Sequence, residues 1–355
     1  MAKAILWLWL GCLIVVSAVS AQTTLNPDFS VVGDFRAFSH NDPSRPTEKN
    51  EFNLKSPDME LMAAGYLNPY ARADVVIAWE EGSNAEIEEV YATILRGLPL
   101  NMNLRVGKYR LEFGRLNSVH PHAYSFIYQP LPHQEFFSEE GLNDMALRTS
   151  FILPTGKLYT ELMGAVLKGD IFSEEETPDA ADSTAEEVHT KPGFFGRLTT
   201  STAVSENAEL TGGVSIVTAD YDQIERLRAT VFGIDMKYKW RPNRYRSLSI
   251  EGEALGNKRD REDTDAVTSY GGYGYIDYRF HQKYNVGSIF EYTQGKLDSD
   301  VSNSRMGGFI GFAPIEETSL VRLVGDWTTP SEGDGYWTAT VQLIISLGPH
   351  QPHNF

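Results

Sequence analysis

Hydrophobic and polar positions alternate with a period of two through most of this chain. In YWTATVQLIISLG, residues 336–348, Trp337, Ala339, Val341, Leu343, Ile345 and Leu347 are apolar, while Tyr336, Thr338, Thr340, Gln342, Ser346 and Gly348 are polar or small; only Ile344 breaks the pattern. Such alternation describes an extended strand with one apolar and one polar face. It recurs in Phe29, Val31, Gly33, Phe35 and Ala37 against Ser30, Asp34 and Arg36, and in Phe232, Ile234, Met236, Tyr238 and Trp240 against Asp235, Lys237 and Lys239. Helical period is nearly absent. The runs predict about sixteen strands, centred near residues 33, 62, 76, 91, 105, 149, 163, 197, 213, 234, 251, 275, 289, 309, 323 and 342.

The connections fall into two sets. Short turns rich in Pro, Asn and Gly, such as Leu67-Asn68-Pro69-Tyr70, Pro154-Thr155-Gly156-Lys157 and Arg241-Pro242-Asn243-Arg244, alternate with longer ones expected over 40–55, 113–144, 169–191 and 256–266. Charges of both signs fall on the polar face, and Trp79, Trp240, Tyr278, Trp327 and Trp337 sit near strand ends, where interfacial girdles need them. A soluble sandwich or solenoid also alternates but needs no girdle. The expected fold is therefore all-β: a transmembrane antiparallel β-barrel of about sixteen strands, with short periplasmic turns, longer extracellular loops and its apolar face against lipid.

Composition adds three constraints. Lys3, the apolar run 4–19 and the small residues Val19-Ser20-Ala21 have the anatomy of a secretory signal peptide, leaving 22–355 as a single barrel domain of the cell outer membrane. The single cysteine, Cys12, falls inside that signal, so a disulfide framework or thiolate metal site is not expected. The formal net charge of −17 argues against nucleic acid as a partner.

The stretch Val106-Gly107-Lys108-Tyr109-Arg110-Leu111-Glu112-Phe113-Gly114 resembles the corresponding strand of phosphate-selective porin O/P-like proteins. The segments 115–122 and 136–142 and the tail His350-Gln351-Pro352-His353-Asn354-Phe355 resemble related porin-like outer-membrane proteins of Gram-negative bacteria. The resemblance implies a channel for passive diffusion of small hydrophilic solutes or ions, with oxyanions as one option, and a C-terminal Phe355 read by the barrel-assembly machinery. The remaining partners it implies are outer-membrane lipid and the solutes themselves; homo-oligomer formation stays open. The other reading is a non-conducting barrel serving adhesion or surface structure.

A sixteen-stranded barrel encloses a water-filled lumen, so function follows from what narrows it. The long connection 113–144 is rich in aromatics and prolines and is expected to fold inward as a constriction, with His120, His122, Tyr124, Tyr128, His133 and Glu135 as its candidate residues. Arg36, Arg105, Lys108, Arg148, Arg197, Lys237, Arg279 and Arg322 are expected to line the pore, where guanidinium groups suit phosphate or carboxylate. His120, His122, His133 and Glu135 offer imidazole and carboxylate donors, but their spacing matches no closed zinc motif; they read as polar loop residues, with no metal and no cofactor assigned. Enzymatic activity is not expected, because no Ser/His/Asp constellation can be assembled from the sequence.

Overall fold

The computed structural model describes residues 27–348 except 80–83, 138–140, 173–190, 223, 263 and 316–317. The expected signal peptide, most of the long connection expected over 169–191 and the C-terminal tail lie outside the described residues.

Sixteen antiparallel strands close into one barrel. In chain order they are β1 (Asp28–His40), β2 (Asn53–Asn68), β3 (Ala71–Trp79), β4 (Glu86–Ile94), β5 (Asn103–Arg110), β6 (Asn143–Leu153), β7 (Tyr159–Leu167) and β8 (Gly193–Ser205). There follow β9 (Ala208–Asp222), β10 (Leu227–Asn243), β11 (Arg246–Arg261), β12 (Thr264–His281), β13 (Tyr284–Gln294), β14 (Ser302–Phe312), β15 (Ser319–Pro330) and β16 (Tyr336–Leu347). Each strand pairs with its sequence neighbours, and β1 closes on β16 with Val31 opposite Leu347 and Arg36 opposite Gln342. Every backbone ladder is thereby satisfied without a free edge, which a lipid environment demands. No helix among the described residues is long and apolar enough to cross a membrane.

Burial runs inside out. On β16 the apolar Val341, Leu343, Ile345 and Leu347 are exposed, whereas Thr340, Gln342 and Ser346 are buried. The exception in the pattern, Ile344, points inward and is buried. On β10, Phe232, Ile234 and Met236 face outward and Asp235 inward. This is the arrangement of a barrel whose solvent on the outside is hydrocarbon.

Trp327 and Trp337 pair across β15 and β16 at one end. At the other end Phe280, Tyr284 and Phe312 stack in series with ring centroids 6.1 and 5.0 Å apart. One expected long loop is absent: β11 and β12 stay paired as far as Arg261 opposite Thr264, so most of 256–266 is strand. Its polar Asn257 and Arg259 are buried on the inward strand face, which accepts polar side chains as readily as a loop does, while Lys258 between them is exposed.

Candidate functional site

Between β5 and β6, the segment of described residues 111–137 and 141–142 runs through the barrel interior. Asn117 closes its neck: Nδ2 donates to the carbonyls of Leu111 (2.8 Å) and Leu142 (3.0 Å), and Oδ1 accepts from Leu142 N (2.8 Å). Beyond the neck, Pro121 opens a 3-10 turn over Pro121–Ala123, and Pro132 stands in the first turn of a short helix, α1 (Leu131–Phe136). Proline's fixed φ suits both positions, where no amide donor is needed.

From the neck the segment reaches the far wall. Ser125 Oγ donates to Asp277 on β12 (2.9 Å), and the Tyr128 hydroxyl lies 2.6 Å from Thr340 Oγ1 on β16. Leu131 N donates to Glu291 on β13 (2.7 Å), and Glu135 accepts from the backbone N–H of Lys296 (2.7 Å). His133 Nε2 lies 3.0 Å from Glu253 Oε2 on β11.

Apolar contacts accompany these bonds. Phe113, Phe136 and Phe137 join a buried cluster with wall residues such as Val217, Val231 and Leu255. Tyr124, Phe126 and Ile127 pack on Tyr273, Tyr275, Ile289 and Phe309, inward positions that depart from the polar rule for a lumen face. Gly271 makes room for α1, since a Cβ there would lie 2.9 Å from Pro132 Cβ and 3.2 Å from a Phe136 ring carbon.

The expected basic positions divide. Arg36, Arg105, Arg148, Arg197, Lys237 and Arg322 do point inward, but each is engaged. Arg36 Nε bonds Asp34 (3.1 Å), Arg197 makes a two-pronged contact with Asp235 (2.7 and 3.0 Å), and Lys237 pairs with Glu251 (3.2 Å). Arg105 and Arg148 share one oxygen of Glu112, the former at 2.8 Å. Arg322 donates to the carbonyls of Tyr124 (2.7 Å) and Phe126 (3.0 Å) and to Gln342 Oε1 (2.7 Å), so it is a strut for the crossing segment.

Arg279 is exposed at the short-turn rim, opposite Ser247. Lys108 contradicts the expectation: it lies opposite Val90 and Met145, both outward-facing and exposed, and its Nζ donates to the Ile87 carbonyl. Arg105 and Lys108 are three residues apart, and on a strand an odd separation puts two side chains on opposite faces.

A second set of charged groups gathers where the segment passes β2 and β4. His120 Nδ1 lies 3.2 Å from Glu60 Oε2 and 3.5 Å from Glu88 Oε2, and His120 Nε2 lies 3.3 Å from Glu89 Oε2. His122 Nδ1 is 3.2 Å from Glu60 Oε1, and the two imidazole rings stack at 5.7 Å. Arg110 closes the group, donating from Nε to Glu88 (2.7 Å) and from its backbone N to Glu89 (2.8 Å). Burial alone disfavours the His120 cation, but the charge of Glu60 and the close approach of the Glu60, Glu88 and Glu89 carboxylates outweigh it and hold the ring of the ion-free protein well above the ordinary imidazole pKa.

Glu88, Glu89, Arg110 and Glu112 were not singled out from sequence. The signal was present at one of them. Val76 pairs with Glu89 while Ile77 pairs with Ile87, so Glu88 is the extra residue of a β-bulge, and both consecutive glutamates are buried inward. The run Glu88-Glu89 inside an alternating strand marks that break. His133 and Glu135 lie elsewhere on the segment, bound to Glu253 and Lys296, so the four loop donors weighed from sequence do not form one site.

No protein-family model matches the chain. A curated relative from Aquifex aeolicus (strain VF5), described as an uncharacterized protein, is 30% identical over 266 residues, covering 68% of this chain and 54% of that protein. The chain thus spans about half the length of the curated relative it matches. Among solved structures it is similar to the trimer form of OmpT, an outer-membrane protein of Vibrio cholerae, with a TM-score of 0.60 at 8% identity over 91% of this chain and 99% of that one. It is also similar to the anion-selective porin of Comamonas acidovorans (TM-score 0.59, 10% identity, 90% and 98% covered) and to the outer-membrane channel DcaP of Acinetobacter baumannii (0.58, 11%, 91% and 96%). At these identities the likeness is one of fold: a closed sixteen-stranded outer-membrane barrel.

Proposed function

We propose that this protein is a porin-like channel of the outer membrane, passing small hydrophilic solutes and ions by passive diffusion without enzymatic chemistry. The observation that carries the reading is the inside-out burial: an apolar exterior around an interior lined by paired charges, across which the segment after β5 reaches the opposite wall. The oxyanion preference implied by the resemblance to phosphate-selective porins has weaker support. Arg36, Arg105, Arg148 and Arg197 are each matched to a carboxylate, so a mixed transverse field fits the wall better than a free anion ladder.

The second reading, a non-conducting barrel for adhesion or surface structure, is favoured by one specific feature. The crossing segment packs on wall residues of both halves of the barrel and forms two apolar clusters there. Planar-bilayer recording of the purified protein separates the two. Stable stepwise conductance is expected from a channel, and silence at all voltages would replace it with the second reading.

A further inference from the structure

Glu60, Glu88 and His120 come from three separate parts of the chain, β2, β4 and the crossing segment, yet their ligand atoms all lie within 4.8 Å of one another. Two of the three separations, 3.2 and 3.5 Å, are close to those of a tetrahedral ion: bonds of roughly 2.0–2.1 Å place ligand atoms about 3.3 Å apart.

Each ligand is also held from behind. Arg110 occupies Glu88 Oε1 and leaves Oε2 toward His120. Glu89, its other oxygen fixed by Arg110 N, takes His120 Nε2 and leaves Nδ1 toward Glu60 and Glu88. A carboxylate on the far nitrogen of a histidine is the usual orienting partner of a metal ligand.

Two further observations point the same way. His120 Nδ1 and Glu60 Oε2 are buried atoms that make no hydrogen bond, being close to one another without the required alignment. The bulge that turns Glu88 inward beside Glu89 gathers three carboxylates around His120, and among the ion pairs of the described residues only Arg110 brings a permanent positive charge to them. Once His120 gives up its Nδ1 proton to act as a ligand, an ion of charge +2 balances what is left. A donor set mixing imidazole with carboxylate favours a borderline transition metal over calcium or magnesium, which prefer all-oxygen shells.

We propose that Glu60, Glu88 and His120 bind a divalent transition-metal ion of the zinc type, with Glu89 and Arg110 as positioning residues, and that the ion pins the crossing segment to the wall at β2 and β4. The inference does not rest on the channel reading, since binding is measured without any flux.

The test uses the folded full chain in detergent, stripped with chelator and carrying His350→Ala and His353→Ala so that the tail histidines are not donors. Calorimetric titration with zinc(II) alone should show one site per chain. Affinity should fall about tenfold or more in Glu60→Gln, His120→Ala and the positioning variant Glu89→Gln, and hold in His281→Ala, a turn histidine remote from the site. Zinc-edge X-ray absorption on the unsubstituted site should show imidazole and carboxylate neighbours in the first shell, a readout that stands even if a variant fails to fold. Absence of binding, affinity indifferent to all three substitutions, or a first shell without imidazole would each overturn the proposal and leave His120 as a plain ion-pair partner of its three carboxylates.

Discussion

His133 Nε2 stands 3.0 Å from Glu253 Oε2, and both side chains are shut away from solvent, with relative exposures of 0% and 1%. The same glutamate accepts from Leu116 N at 3.2 Å and from Arg115 N. One wall carboxylate thus ties together the start of the crossing segment and its short helix.

Replacing His133 by alanine should therefore loosen α1 from the wall. An unmatched buried polar group costs roughly 1–3 kcal/mol, and more when it is charged. The barrel ladder is untouched, so heat-modifiable migration should persist while protease added from the long-loop side cuts within 125–134 faster than in the parent. Equal cutting rates would show that His133 does not anchor the segment.

Deleting Ser125 to Gln134 removes the contacts to Asp277, Thr340, Glu291 and Glu253 at once. Single-channel conductance should rise, because the segment spans the route between the two ends of the barrel. An unchanged conductance would place the narrowing elsewhere.

Ion preference should respond to Glu112, one of whose carboxylate oxygens, Oε1, serves both Arg105 and Arg148. Glu112→Gln leaves two guanidinium groups without their counter-charge and should move the reversal potential in a salt gradient toward anions. Arg105→Glu should move it the other way. Lys108→Glu should do neither, since that side chain faces outward.

The lipid face can be checked with two neighbours on β8. Leu198 is 41% exposed and outward, whereas Thr199 is inward and directly opposite Glu161. Leu198→Arg should impair assembly, at a cost of roughly 2–4 kcal/mol for a charge near the midplane. Thr199→Arg should assemble near normally, with Glu161 as its partner. Equal yields of folded protein from the two variants would mean that the faces are not distinguished by lipid.

Period-two alternation was enough to place all sixteen strands, and on a strand the face of a side chain depends only on parity; the expectation that Lys108 lines the pore beside Arg105 broke that rule and was wrong. Lys108 shows how strictly that rule applies: counted from Arg105 it had to point outward, and it does. The proline and aromatic content of 113–144 marked a segment unlike a solvated loop, since such residues gain by burial.

Tertiary structure alone decided where that segment goes and what it meets. Tyr273, Ile289 and Phe309 break the polar rule for the lumen face only because Tyr124, Phe126 and Ile127 come to rest on them. Glu253 and His133 are 120 residues apart, and Glu60 and His120 belong to elements joined by no local pattern. The path of an irregular segment depends on complementary contacts distributed over many strands, and these exist only once the barrel has closed. Glu88 lies between the two cases: its sequence records the bulge as a repeated glutamate, but only the pairing of Val76 with Glu89 shows which way the extra residue turns.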